Sequence, residues 1–148
     1  MRKFTLTYGN FREKSAEIEK YLRRLKLKEN EIMGGLLILE EVFMRLRNGS
    51  EKFSCNVQAR KVFGNVRLLV SAEGEPFDPF EQLDSWNENE NENEEEYYRT
   101  LILASRKRQL AYTRKNSENV VKLGDIQLGA SCCGTSSGGR LCGKRFSC

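Results

Sequence analysis

The alternation of apolar and polar residues sets the first element. Phe4, Leu6 and Tyr8 interleave with Lys3, Thr5 and Thr7 before Gly9-Asn10, the pattern of a half-buried strand and its turn. The period then lengthens. From Phe11 to Leu27, Ile18, Tyr21, Leu22 and Leu25 fall at helical spacing among Lys, Glu and Arg, which predicts an amphipathic helix. A second helix follows, with Asn30 as its expected cap, on the recurrence of Ile32, Leu36, Leu39, Phe43 and Leu46. Asn48-Gly49 should end it.

Period two returns in Lys52 to Phe63 and Asn65 to Ala72, where Val66, Leu68 and Val70 mark one face. A turn at Gly64-Asn65 should join them as a hairpin. Glu73 to Pro79 reads as a turn-rich loop holding both prolines of the chain, and Phe80 to Trp86 as a short helical turn. The Asn/Glu run Asn87 to Glu96 should be a solvated loop whose last glutamates suit a helix N-terminus. Tyr97 to Lys107 is the expected third helix. Leu110-Ala111-Tyr112-Thr113 and Asn119 to Leu123 then form a second hairpin around Lys115-Asn116-Ser117.

This order predicts an α/β two-layer sandwich, with a mixed, mostly antiparallel sheet and about three helices on one face. Length agrees: 148 residues suit one domain, expected over residues 1–124, with a tail over 125–148.

Composition narrows the chemistry. The chain has no histidine, which removes the commonest general base and every zinc site that needs imidazole. The longest apolar stretch, Met33 to Leu39, is too short to span a bilayer, and the strand pattern after Met1-Arg2-Lys3 is unlike a signal peptide. A cytoplasmic protein without a membrane partner is expected. The net charge of +4 is unevenly spread, with glutamates from Glu88 to Glu96 followed by basic residues from Arg99 to Lys122. No nucleic-acid motif accompanies the basic stretch, and a solvated face is the expectation.

Three stretches in this order resemble the GHKL (Bergerat-fold) ATPases, nearest the anti-sigma-factor serine kinase branch. Ile38 to Arg45 is similar to the family's N-box, in which a glutamate acts as general base and an asparagine four residues later holds magnesium. Ser71 to Pro79 is similar to the loop whose aspartate reads adenine and whose glycine lets the base lie close. Arg99 to Leu123 is similar to the closing helix and hairpin. The resemblance implies ATP and magnesium as cofactors, Glu41 as the candidate base, and nucleotide contacts at Arg45, Ala72, Gly74, Phe77 and Asp78.

The matched positions are altered. Arg45 stands at the magnesium-binding asparagine, Ala72 at the adenine-reading aspartate, and glutamates replace the glycine-rich phosphate lid. Glu73, next to Ala72, should face the opposite side of its strand. With metal and adenine contacts altered, Glu41 and Arg45 are expected as helix-surface charges, and Phe77 as packed inside a tight turn. The resemblance then implies a non-catalytic or weakly nucleotide-binding regulator of a protein partner: a sigma factor, an anti-anti-sigma-like protein or a fused or adjacent protein. A homodimer is a further candidate assembly. The alternatives are an active serine/threonine kinase and a precursor releasing a modified Cys-rich peptide from residues 131–148.

That last segment differs from the rest in composition. Cys132, Cys133, Cys142 and Cys148 lie among glycines and serines without the paired spacing of a structural zinc site. An unstructured extension is the expectation there.

Overall fold

The computed structural model describes residues 2–83 and 93–127. The expected readings for residues 84–92 and for the Cys-rich segment 131–148 lie outside the described residues.

The chain opens with strand β1 (Arg2–Thr7), then helices α1 (Phe11–Arg24) and α2 (Glu29–Arg47). Strands β2 (Ser54–Val62) and β3 (Asn65–Glu73) form the first hairpin. A 3-10 turn at Glu81–Leu83 precedes α3 (Glu94–Ala104), and a second at Lys107–Gln109 leads into β4 (Leu110–Lys115) and β5 (Glu118–Gln127). The five strands make one sheet in the order β1-β2-β3-β5-β4. Every neighbouring pair is antiparallel, where a mixed sheet was expected. The two-helix connection brings β2 back antiparallel beside β1, whereas β4 returns parallel to β3 with β5 between them, so no neighbouring pair is parallel.

Alternation selects the buried face. Phe4 and Leu6 of β1, Val57 and Ala59 of β2, Val66, Leu68 and Val70 of β3, and Val121 and Leu123 of β5 are buried. The residues between them are exposed or partly so. Ile18 and Leu22 of α1, Ile32, Leu39, Val42 and Phe43 of α2, and Leu103 of α3 complete the same core. Phe43 anchors one end, stacked on Phe11 with ring centroids 4.6 Å apart and edge-on to Phe53 at 5.6 Å. The molecule is thus a two-layer α/β sandwich.

Several boundaries depart from the sequence reading. Helix α1 stops at Arg24 because Lys26 adopts a left-handed backbone (φ 60°), which turns Leu27 into the core. Helix α2 is capped at Lys28, not Asn30, and no side chain caps it; Glu29 and Glu31 occupy its first turn, where negative charge suits the dipole. Its end at Asn48 is as expected, with Asn48 and Gly49 both at positive φ. Helix α3 starts three residues before Tyr97, because the Asn93 side chain accepts the Glu96 N–H at 3.1 Å. The first hairpin turns on Phe63-Gly64, since Val62 pairs with Asn65. Strand β5 runs past Leu123 to Gln127, with a bulge opposite Val66 and Leu68.

Candidate functional site

Two polar clusters occupy the positions singled out in the sequence. The first lies between α2 and α3. Glu41 falls on the same stripe of α2 as Ile38, one turn earlier, and is only 5% exposed, so it is not the surface glutamate expected. Its two carboxylate oxygens go to two arginines. Arg45 Nε donates to Oε2 at 2.7 Å, and Arg99 Nε of α3 donates to Oε1 at 3.2 Å. Arg45 also reaches across to Thr100 Oγ1 at 3.3 Å and lies 3.9 Å from a carboxylate oxygen of Glu96. It is a partly buried bridge between helices and not a free surface charge. The hydrogen bond from Arg99 to Glu41 holds the guanidinium proton more firmly than in a free arginine.

Nearer the start of α2, Arg106 forms an ion pair with Glu31 at 3.1 Å, and its guanidinium lies against Gly34, where a Cβ would collide with it. Helix α3 and the turn after it are therefore tied to α2 at two places by arginine-glutamate pairs.

The second cluster centres on Asn119 of β5, a polar residue on the buried face, in phase with Val121 and Leu123. Its side-chain oxygen accepts from Phe77 N–H at 3.1 Å, Tyr112 O–H at 2.7 Å and Arg114 Nη1 at 3.2 Å. Its amide nitrogen donates to the Glu75 carbonyl at 2.9 Å. Arg114 Nη1 also donates to the Gly74 carbonyl at 2.6 Å, and Gly74 N–H donates to the Ser117 carbonyl at 3.2 Å. Residues 74–77 are so pinned to the second hairpin. Gly74 itself sits at φ 146°, open to glycine and costly for other residues. Phe77 is held by its backbone while its ring is 42% exposed, where a packed ring was expected.

Ala72 is buried at the end of β3, and Glu73 is exposed on the other face, as the strand period requires. Asp78 accepts from Phe80 N–H at 2.8 Å and lines a cavity of about 200 Å³ with Phe80, Leu83, Lys107, Leu110, Ala111 and Tyr112. None of Glu41, Arg45, Ala72, Gly74 or Phe77 lines that cavity.

Comparison with protein-family models and with curated proteins returned no match. What the arrangement can do must come from its own chemistry.

Magnesium needs several oxygen ligands in near-octahedral array. Here the candidate carboxylate faces two guanidinium groups, and among the described residues no group of three His, Cys, Asp or Glu side chains gathers to hold a metal. The donor set does not suit the ion. Ala72 offers a methyl group where an adenine amino group would need an acceptor. As a general base, Glu41 would have to reach a substrate hydroxyl within about 3 Å while both its oxygens hold arginines. The cluster is built as an interhelical tie.

Sequence reasoning missed Arg99, Thr100, Tyr112, Arg114 and Asn119 as partners. A signal existed for Asn119, because strand phase puts it among Val121 and Leu123, and a buried amide requires hydrogen-bond partners. For Glu41 the signal was its place on the Gly34, Ile38, Arg45 stripe, which borders the apolar face of the helix. Arg99 carried no comparable sign.

Proposed function

We propose that this chain is a cytoplasmic regulatory module on a GHKL ATPase-like scaffold, non-catalytic or at most weakly nucleotide-binding, that acts by binding a protein partner as anti-sigma-type regulators do. The observation that carries this reading is the Glu41 carboxylate clasped between Arg45 and Arg99. The positions that the resemblance assigns to base and metal ligand are spent on joining α2 to α3. The Asn119 clamp supports it further, since the chain's own side chain takes up the Phe77 N–H and the Glu75 carbonyl in the loop at residues 74–77. Partner binding is supported by Met33, Leu37 and Met44, which stay exposed along α2 and offer the apolar surface that protein interfaces use.

The test is isothermal titration of the full chain with Mg-ATP. The expected outcome is no saturable heat up to about 1 mM nucleotide, which bounds any binding to weaker than roughly −4 kcal/mol. A complex with a sigma factor or its antagonist from the same genome should form equally well with and without Mg-ATP. Saturable binding lost in Gly74→Trp, together with phosphoryl transfer to a partner serine lost in Glu41→Gln, would establish the active kinase instead.

A further inference from the structure

One end of the sandwich concentrates exposed positive charge. The register of the sheet brings the start of β1, the β2–β3 turn, the start of β4 and the end of β5 to this end. Helix α1 finishes here too, since the Arg2 guanidinium lies over the Tyr21 ring, 5.8 Å from its centroid. Lys3, Lys26, Lys28, Arg60, Lys61 and Arg108, from four separate segments, are all exposed at or near it. The acidic side chains described here, Glu29 and Glu31, are already paired with Arg23 and Arg106. At its apex the Phe63 ring is fully exposed on a two-residue turn.

Backbone conformation supplies an independent observation. Among the described residues, four other than glycine have positive φ: Lys26, Asn48, Phe63 and Asn116. The two at the opposite end, Asn48 and Asn116, are the residue type that tolerates this conformation. The two at the basic end are a lysine and a phenylalanine, for which it is strained. Phe63 and Gly64 both have positive φ, a turn that favours Asn-Gly, and the Phe63 ring gains no packing in return. Side chains kept at a local cost, one cationic and one aromatic, both project among the lysines and arginines of this end.

We propose that this end is a peripheral docking surface for an anionic lipid bilayer, with Phe63 entering the interface and the surrounding cations lying at headgroup level. Lys3 lines a cavity on the open face of the sheet, while Lys26, Lys28, Arg60, Lys61 and Arg108 stand exposed on separate segments at this end, a spread that fits a broad anionic plane better than a strand of nucleic acid. Lysines predominate among those named, and as point charges they need no fixed acceptor geometry. An aromatic apex with a basic collar is the arrangement that membrane interfaces attract. No helix among the described residues is long and apolar enough to cross a membrane. The proposal does not depend on the nucleotide reading above.

The test is flotation of the full chain with vesicles of phosphatidylcholine alone or with about 30% phosphatidylglycerol, an anionic lipid. The chain should bind only the anionic vesicles, and less as salt shortens the Debye length. Phe63→Asn and Lys26→Gly relieve the backbone, so each should melt about 2–5 °C higher than the parent. Each should nevertheless bind the vesicles several-fold more weakly. Arg60→Ala with Lys61→Ala should weaken binding by roughly tenfold or more, at about fivefold per charge. The proposal fails if the parent ignores anionic vesicles, or if the relieved variants bind as well as the parent. Tighter binding of a duplex DNA than of the vesicles at the same salt, insensitive to Phe63→Asn, would also overturn it in favour of a phosphate-backbone contact.

Discussion

Cys55 lies on the buried face of β2, and desolvation pushes its thiol up to about 12. In the unfolded chain a thiol ionises near about 8.5, so the folded state retains the proton over a pH range where the unfolded state has lost it. Stability contributed by the neutral thiol is whole below about pH 8.5 and is lost as pH rises toward about 12. Denaturant midpoints should therefore fall between pH 8 and pH 10.5, and Cys55→Ala should flatten that fall. In the native protein at pH 8, peptide mapping after iodoacetamide should find Cys55 unmodified, and modified once urea unfolds the chain.

Glu41 makes the opposite kind of claim at the same scale. Its burial is acceptable because two guanidinium groups face it, and removing the carboxylate alone leaves Arg45 partly buried without its anion. Glu41→Leu should destabilise by about 3 kcal/mol, and adding Arg45→Met should recover much of that loss, because a buried pair replaced together by apolar groups costs little. Urea denaturation of the two variants checks it. A general base would behave otherwise, with activity lost and stability hardly changed.

Elements owe their boundaries to single polar groups. Asn93 satisfies one of the free N–H groups at the start of α3, and Asn93→Ala should cost about 1 kcal/mol, read as a lower melting temperature. The consequence reaches further than one cap, because Arg99 and Thr100 meet α2 only while this helix is formed. Asn119 plays the larger part for the loop after β3. Asn119→Val removes four hydrogen bonds and leaves the Glu75 carbonyl and Phe77 N–H without them, a loss of roughly 2–4 kcal/mol. Hydrogen exchange at Phe77 should accelerate well before exchange in β3, whose own amides are held by the sheet.

Helical and strand periods made most elements legible: β3 buries Val66, Leu68 and Val70, β1 buries Phe4 and Leu6 while Tyr8 lies beyond its end and is exposed, and α2 buries Ile32, Leu39 and Phe43 with Leu36 and Leu46 partly covered. Turn and cap positions were less legible. The hairpin at Phe63-Gly64 was read one residue late, because Gly64-Asn65 is the more favourable local choice and the pairing of Val62 with Asn65 overrides it. Lys26 escaped notice for the same reason: a lysine is a poor helix terminator, and what ends α1 is the burial of Leu27.

At the scale of the whole molecule, the charged groups sort by end. The first turn of α2 carries Glu29, whose carboxyl the Arg23 hydrogen bond holds below its usual range, so this pair acts at neutral pH and weakens as pH falls into the acid range. Both partners are open to solvent, and salt should screen the pair with little effect on melting.

The sequence by itself determined the succession of strands and helices, the face each one buries, and the chemical alterations at Arg45 and Ala72, because residue type and period are local properties of the chain. Tertiary structure decided which charges meet. Glu41 and Arg99 are far apart in sequence and share a hydrogen bond only because α3 packs on α2; Asn119 reaches Glu75 and Phe77 only because β5 lies beside β3. A buried carboxylate and a surface one look alike along a helix until a second helix supplies the cations that make burial tolerable.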